Sequence, residues 1–453
     1  MAYQAQERNM ADKTDESDRR FMFVMGEFPN PCQTFILREM VCLYEKGVRF
    51  EVLAEKRATH PSIDPVIASL QQETYYLPRK AGIALGAFGY LLRHPLRTAK
   101  LLFWAMRFPH RTWFHRARFL GTLMSAITMA PRISKLNIAR FHAHFAGFQT
   151  ELAMCLSKLL GIPYGVTWHA YGIWKDKNIL KEKLAGADII ITCTRYNAEH
   201  LKQLAPHREN SIYMVNHGIE VAALRPKPLK VQETPIVLAV GRLIPKKGFQ
   251  HLLDAAALLK AEGMVFRVII AGDGPERDYL MQRTKALKLE RVVTFAGALP
   301  NHEIINLLTD AYVLVTPSVK DEHGDIDGIP NVLIEAMASE RPVIGSDLSG
   351  IPEVVNEQTG RLVPAGSASD LALAIRSLLM DKALAKRCGK AGRSVVESSF
   401  DIDKNVDKQL EILQRAAEMS EVTAGGESAA GRTAFASGWF QKKRYATIER
   451  RDS

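Results

Sequence analysis

Two carboxylates eight residues apart, Asp327 and Glu335, frame the stretch DGIPNVLIEAMA. If the whole span were helical they would lie about 12 Å apart along its axis, beyond the roughly 5–9.5 Å of a glycosidase acid/base pair. Such a spacing suits a grip on opposite ends of one elongated ligand. It is equally that of an amphipathic helix with an exposed acid at each end. Pro330 falls where a first helical turn would begin, a place at which proline loses no needed hydrogen bond. The apolar run AYVLVTP upstream reads as a buried parallel strand, and the polar SVKDEHGDI that follows it as a loop. Strand, loop and helix start together offer backbone N–H groups and a positive dipole end at the strand's carboxyl edge. At that edge α/β folds bind phosphorylated ligands.

Three further strand ends carry comparable turn chemistry. The first expected strand of the second half runs into GRLIPKKG. There Gly241 permits a tight turn, and Arg242, Lys246 and Lys247 place cations able to fork onto, or point at, phosphate oxygens. A solvated basic turn is the plain alternative. The next strand ends in AGDGPERDYL, where Gly272 and Gly274 allow close approach of a ligand and Pro275 opens a helix. This is not GxGxxG, so dinucleotide redox binding gains little from it. The third ends in FAGALP with Gly297. Four consecutive strand ends with special turns, in this order, are what one nucleotide site requires, and together they say more than any one of them.

The elements that must hold these ends read as α/β throughout. Expected strands are 21–25, 50–54, 74–77, 140–144, 165–169, 188–193 and 212–215 in the first half, with helices at 34–46, 148–160 and 196–204. In the second half they are 236–240, 267–271, 292–295, 311–316, 343–346 and 361–363, and a helix spans 402–419. Such alternation predicts two doubly wound, Rossmann-like domains facing across a cleft. The expected boundaries are a disordered N-terminus 1–20, an N-terminal domain 21–220, a linker 221–235, a C-terminal domain 236–400, a helix 401–420 and a flexible tail 421–453.

The chain of 453 residues carries a net charge of +11, and one segment accounts for it. Between Thr74 and Thr150 there is no Asp or Glu but twelve Lys and Arg; outside it 48 basic residues face 49 acids. The same segment has apolar residues at helical spacing, with Phe103, Trp104, Trp113 and Phe114 among them. A basic, aromatic, amphipathic excursion (79–140) is the composition of helices lying on an anionic membrane surface. Nucleic acid ranks lower as a partner because no nucleic-acid motif accompanies the charge. A solvated face packed on its own domain is the remaining option. No apolar stretch reaches about 18 residues, so no spanning helix is expected. Five scattered cysteines without a CxxC pair point to a reducing cytoplasm, and to neither a disulfide framework nor a zinc site. His142 and His144 share a strand face, but without a third nearby ligand a metal there is weakly supported.

The second half, from about Pro235 to Val363, resembles the family-4 glycosyltransferases of the GT-B fold. The carriers are GRLIPKKG, AGDGP, FAGALP, VTPS, DGIPNVLIEAMA and PVIGSDLSGIPEVV, in order and spacing. The first half is similar to the branch that builds colanic acid and other exopolysaccharides, through GEFPNPCQTFILREM, RFHAHFAG and GIPYGVTWHAYGIW. The resemblance implies transfer of a hexose from a nucleotide sugar, UDP-linked by preference, to a lipid-linked oligosaccharide. Anomeric configuration would be retained, no cofactor or metal used, and the enzyme held peripherally at the inner face of the cytoplasmic membrane.

By matching positions the resemblance implies Arg242 and Lys247 on the diphosphate, Glu335 on the ribose and Asp327 on the hexose hydroxyls. The N–H groups of Gly328, Ile329, Pro330's neighbour Asn331 and their surroundings would cap the leaving phosphate, and Gly241, Gly272, Gly274 and Gly297 would line the donor. His169 would face the hexose as a catalytic group. Glu27, Phe28, Pro29, Gln33, Thr34 and His144 fall on the acceptor side. The chain departs from the family in Asp327 for a more usual Glu, Pro245 for an acid, Gly172 for an Asp, and Cys32-Gln33 for Ser-Glu. The alternatives are a GT-B enzyme of another class, such as a nucleotide-sugar epimerase, and a non-catalytic nucleotide-binding scaffold.

Overall fold

The computed structural model describes residues 20–423, apart from 31–32, 60–63, 176, 225, 227 and 229–233. Expectations for the two terminal segments and for Cys32 lie outside the described residues. The chain divides into two compact units. One runs up to Thr167 and adds Asn178–Ile190 and the chain from Gln409; the other is Trp168–Lys177 with Ile191–Lys408.

Thirteen strands build two sheets among the described residues. The first seven are β1 (Arg20–Phe28), β2 (Phe50–Arg57), β3 (Tyr75–Tyr76), β4 (Ile138–His144), β5 (Tyr164–Trp168), β6 (Ile189–Thr192) and β7 (Ile212–Met214). The next six are β8 (Ile236–Val240), β9 (Arg267–Ala271), β10 (Val293–Gly297), β11 (Val313–Thr316), β12 (Val343–Asp347) and β13 (Gly360–Pro364). Sheet order is β3-β2-β1-β4-β5-β6-β7 in one and β10-β9-β8-β11-β12-β13 in the other. In the second sheet every neighbouring pair is parallel. Each sheet is doubly wound, and its order reverses between β1 and β4 or between β8 and β11. A crevice therefore opens at the carboxyl ends of those strands.

The strands of the second sheet are short, apolar and β-branched, because helices cover both faces. Val237, Val268, Val313, Ile344 and Val363 join one apolar cluster, and Leu238, Ile269, Leu314 and Val343 join another. The buried strand expected from AYVLVTP is thus present as β11. Pro330, by contrast, sits one step earlier than expected. Its ψ of 130° makes it the extended capping residue of the helix Asn331–Ala338 rather than its first helical residue.

In the first unit the basic segment forms three helices, Lys80–Arg93, Pro95–Met106 and Trp113–Ile133. Pro95 opens the second, and the Thr112 hydroxyl accepts the His115 N–H to cap the third. That third helix buries Phe119, Leu123, Ala126, Ile127 and Ile133. The first two bury little and leave Leu85, Phe88, Leu92, Leu96 and Phe103 largely exposed, as are Trp113 and Phe114; Trp113 reaches 81%. Two of the twelve cations turn inward. Arg140 pairs with Asp188, and Arg118 reaches buried Glu151 at 3.1 Å, where Lys183 also binds at 2.9 Å. No helix among the described residues is long and apolar enough to cross a membrane.

Candidate active site

The ends of β8, β9, β10 and β11 interlock in the second unit. The Gly241 N–H donates to Ala271 O at 2.9 Å, the Gly272 N–H to Gly297 O at 2.7 Å and the Val319 N–H to Lys246 O at 2.8 Å. Gly272 has φ +140°, and a Cβ there would meet Gly241 O at 1.9 Å. Gly248 has φ +64°, and a Cβ would stand 2.0 Å from Pro317 O. Only glycine lets these turns pack edge to edge. Sequence-selected Gly241, Gly272, Gly274 and Gly297 all lie on these turns.

Asp327 is buried beside this edge. Its Oδ2 binds Lys247 Nζ at 2.8 Å and accepts the Ser318 hydroxyl at 3.0 Å, while Oδ1 lies 3.3 Å from Lys246 Nζ. Burial alone would raise the carboxyl's pKa. Lys247 and Lys246, with hydrogen bonds from Lys247 and Ser318, outweigh it and hold it at about 2. The paired lysines differ. Lys246 is buried and also binds Asp325 at 3.1 Å, whereas Lys247 stands nearer the surface and, among the described residues, pairs with Asp327 alone. Arg242 is exposed and has no ion-pair partner among the described residues.

The helix Asn331–Ala338 has no side-chain cap at its start; the Leu333 N–H turns back to Pro330 O at 2.9 Å, which leaves the N–H groups of Asn331 and Val332 for a ligand. Gly328, Ile329 and Pro330 lead the chain into it. Glu335 lies one turn further along and is buried. Its carboxylate and that of Asp327 therefore flank the helix start, as an elongated ligand would need, and neither is the exposed acid of a solvated helix.

His169 caps the short helix Ala170–Trp174 directly after β5. The Trp174 ring holds that helix in place: its Nε1–H donates to Asn197 Oδ1 at 3.0 Å, and it packs on His200 with ring centroids 4.3 Å apart. Ala170 and Thr194 line the backbone at Gly328, where a Cβ would meet them at 3.7 and 3.8 Å. His169 Nδ1 is 3.2 Å from His217 Nε2, with the rings stacked. Cys193 completes a trio whose ligand atoms all lie within 4.8 Å of one another. It is the one group of side chains among the described residues with metal-ligand spacing, and no local pattern in the sequence links the three. Burial keeps His217 neutral, its pKa near 4, and pushes the Cys193 thiol up to about 12.

The acceptor-side residues belong to the first unit. Glu27, Pro29, Gln33 and Thr34 lie at the end of β1 and the start of the helix Thr34–Glu45. Phe28 and His144 are instead fully buried. His144 Nε2 lies 3.7 Å from Glu39 Oε1, and its ring stacks on Phe23. His142 Nε2 meets Thr167 Oγ1 at 2.8 Å, and burial, helped by Arg140, drops its pKa to about 3. Both strand histidines are core side chains. Lys246 stands among the cations the sequence singles out and Ser318 within the VTPS motif; Asp325, Cys193 and His217 gave no separate functional signal there.

Two parallel-sheet, Rossmann-like units with a nucleotide-type edge are the architecture of GT-B glycosyltransferases. The crystal structure of HepE from Anabaena in complex with UDP superposes with a TM-score of 0.64 at 16% identity, over 87% of this chain and 100% of that one. A family model described as glycosyl transferases group 1 matches residues 220–395. WcaL, assigned in Escherichia coli (strain K12) as a colanic acid biosynthesis glycosyltransferase, is 30% identical over 417 residues, 87% of this chain and 99% of its own length. The amylovoran biosynthesis glycosyltransferase AmsK of Erwinia amylovora is 28% identical over 88% of this chain and all of its own length. The chain belongs to the group 1 glycosyltransferases, in the branch of the exopolysaccharide enzymes.

Proposed function

We propose that this glycosyltransferase moves a hexose from a nucleotide sugar, UDP-linked by preference, to a lipid-linked oligosaccharide, with retention of configuration and without a metal in the transfer step. Residues 236–400 act as the donor domain and 21–220 as the acceptor domain. The observation that carries this reading is the helix start without a side-chain cap, four residues after the lysine-paired Asp327, together with an exposed Arg242 that has no ion-pair partner among the described residues. In transfer, the bond from sugar C1 to the β-phosphate oxygen breaks and one from C1 to the acceptor oxygen forms. The acceptor's hydroxyl proton leaves to a phosphate oxygen. Arg242, Lys247 and the N–H groups around Gly328 to Asn331 offset the charge growing on the diphosphate. Asp327 holds two lysines, so Lys247 is able to turn to the diphosphate while Lys246 stays. Glu335 then grips the ribose, Asp327 the hexose hydroxyls, and His169 faces the sugar. Glu27, Pro29, Gln33 and Thr34 serve the acceptor directly, with Phe28 and His144 supporting them from below.

Peripheral binding at the inner face of the cytoplasmic membrane is part of the same proposal. Exposed Arg97, Lys100, Arg107 and Arg111 alternate with exposed Leu96, Phe103 and Trp113 on the basic helices. Trp104 is excluded from this role, since its ring packs against Phe108 and Phe119 at 5.0 and 5.9 Å. The deciding experiment measures saturation-transfer binding across a panel of nucleotide sugars, then transfer to lipid-linked oligosaccharide. Glu335→Ala is expected to weaken donor binding at least about tenfold, the worth of one lost charge-assisted hydrogen bond. Full affinity in that variant, or no nucleotide sugar bound by the wild type, would refute the assignment.

A further inference from the structure

His169, Cys193 and His217 are spaced 24 residues apart along the chain, one strand-plus-helix unit each. They follow β5, β6 and β7, which are successive neighbours in their sheet. Parallel strands end at the same edge, so the three side chains meet although nothing local links them. We propose that they form a His2Cys site for a soft, tetrahedral divalent cation, zinc above all, and that zinc bound there shuts the transferase off.

The geometry fits that ion. Zinc–nitrogen bonds of about 2.0–2.1 Å in a tetrahedron place two nitrogens about 3.3 Å apart. His169 Nδ1 and His217 Nε2 already stand 3.2 Å apart; the ligand atoms of the trio lie within 4.8 Å of one another, so the widest pair closes by about 1 Å on binding to reach the roughly 3.6 Å of a zinc tetrahedron. Two imidazoles and one thiolate are the donor set that zinc prefers over magnesium or calcium. A small cavity of about 10 Å³ touches Cys193, His217 and Asn331, with Ile219 and Ile334 as apolar walls. That is room for about one water, enough for a fourth ligand. Cys193 itself is buried, which favours a thiolate held by the metal over a free one. On binding, the Cys193 S–H loses its proton to solvent and sulfur and both nitrogens donate to zinc.

The consequence for activity rests on the assignment of His169 to the sugar. A zinc ion takes the His169 ring nitrogen that faces His217, clamps the ring and puts a positive charge beside the hexose. It also sits one residue from the donor helix, through Asn331. Zinc here is an inhibitor, in keeping with a transfer step that draws its charge from Arg242, Lys247 and a helix start.

The test uses the full chain and has two arms. Titration with cobalt(II), a zinc surrogate with visible spectra, should give a thiolate-to-cobalt band in the near ultraviolet, and competition with a chromophoric chelator gives the zinc affinity. Cys193→Ser should abolish the band, and Cys193→Ser and His217→Ala should each weaken zinc binding by about tenfold or more. Cys388→Ser, at a buried thiol elsewhere in the second unit, should change neither. Circular dichroism checks that each variant is folded. A missing band in the wild type, or an unchanged band in Cys193→Ser, overturns the site and leaves the two imidazoles as a plain hydrogen-bonded pair. In the second arm, micromolar zinc should suppress transfer by the wild type and spare Cys193→Ser. Tight zinc binding with undiminished transfer overturns the inhibition alone, and the binding arm decides even where no donor is turned over.

Discussion

The donor edge of the second unit and the basic helices of the first treat positive charge in opposite ways. At the strand ends of the second unit the lysines are held by carboxylates: buried Lys246 lies between Asp325 and Asp327, and half-buried Lys247 rests on Asp327. On the basic helices Arg97, Lys100, Arg107 and Arg111 have no ion-pair partner among the described residues, and the apolar side chains between them face outward. The first arrangement holds charge in a fixed geometry. The second holds it in no fixed geometry, which suits a partner that is itself a fluid sheet of charge. Burial is what separates them. A desolvated lysine must be paired, whereas a solvated one has water as a partner and remains free to bind at long range.

The contrast would break most visibly on the helices. Changing Arg97, Lys100, Arg107 and Arg111 together to Glu removes about 1 kcal/mol of membrane attraction for each cation and adds repulsion. Flotation on anionic vesicles should fall by roughly two to three powers of ten at low salt, with binding to neutral vesicles little changed. Equal flotation of the two proteins would make the basic helices a solvated face. Arg118 and Arg140 do not belong in that variant, because their pairs with Glu151 and Asp188 support the core.

At the donor edge, Lys247→Ala should lower transfer about 10²–10³-fold, or about 3–4 kcal/mol, the range seen when one preorganised charge-stabilising donor is lost. Vesicle binding should be unaltered. Steady-state kinetics with the native donor checks this, and activity within a factor of about two of wild type would detach Lys247 from the diphosphate.

The smallest effect is expected from a carboxylate outside both regions. Glu39 is buried against His144, and burial raises its pKa from 4.5 to about 7, against a lowering hydrogen bond from Gln409 at 2.8 Å. Folding therefore favours the protonated form. The folded state holds the extra proton between pH 4.5 and about 7, so stability from this group is complete below pH 4.5 and is lost as pH rises through about 7. Asp327 has the opposite sign: its depressed pKa keeps its contribution above pH 3.8 and loses it as pH falls towards 2. In Glu39→Gln the melting temperature should match that of the wild type near pH 5 and exceed it near pH 8, by an amount worth up to about 3 kcal/mol. A constant difference across that range would show that Glu39 does not titrate there.

Much of this protein is written in short-range pattern. The apolar run 311–317, the glycines at 241, 272, 274 and 297 and the proline before the helix at 331 mark the strand ends, turns and helix start where the structure has them, because each depends on a few neighbouring residues. The charge excess between Thr74 and Thr150 is equally plain, since composition needs no fold. Which of two adjacent lysines turns inward is not written that way. Lys246 and Lys247 have the same local context, and only the position of Asp325, 79 residues downstream, buries one of them. The same holds for Arg140, which looks like a surface cation until Asp188 meets it, and for His144, whose alternation on a strand says nothing of the Glu39 beside it. Cys193 is the plainest case. On its own it is a scattered cysteine, and it becomes one of three metal-ligand side chains only because parallel strands stack their carboxyl ends at one edge. Periodicity reports what a residue does for its own element, and pairings across tens of residues exist only once the sheets have brought those elements together.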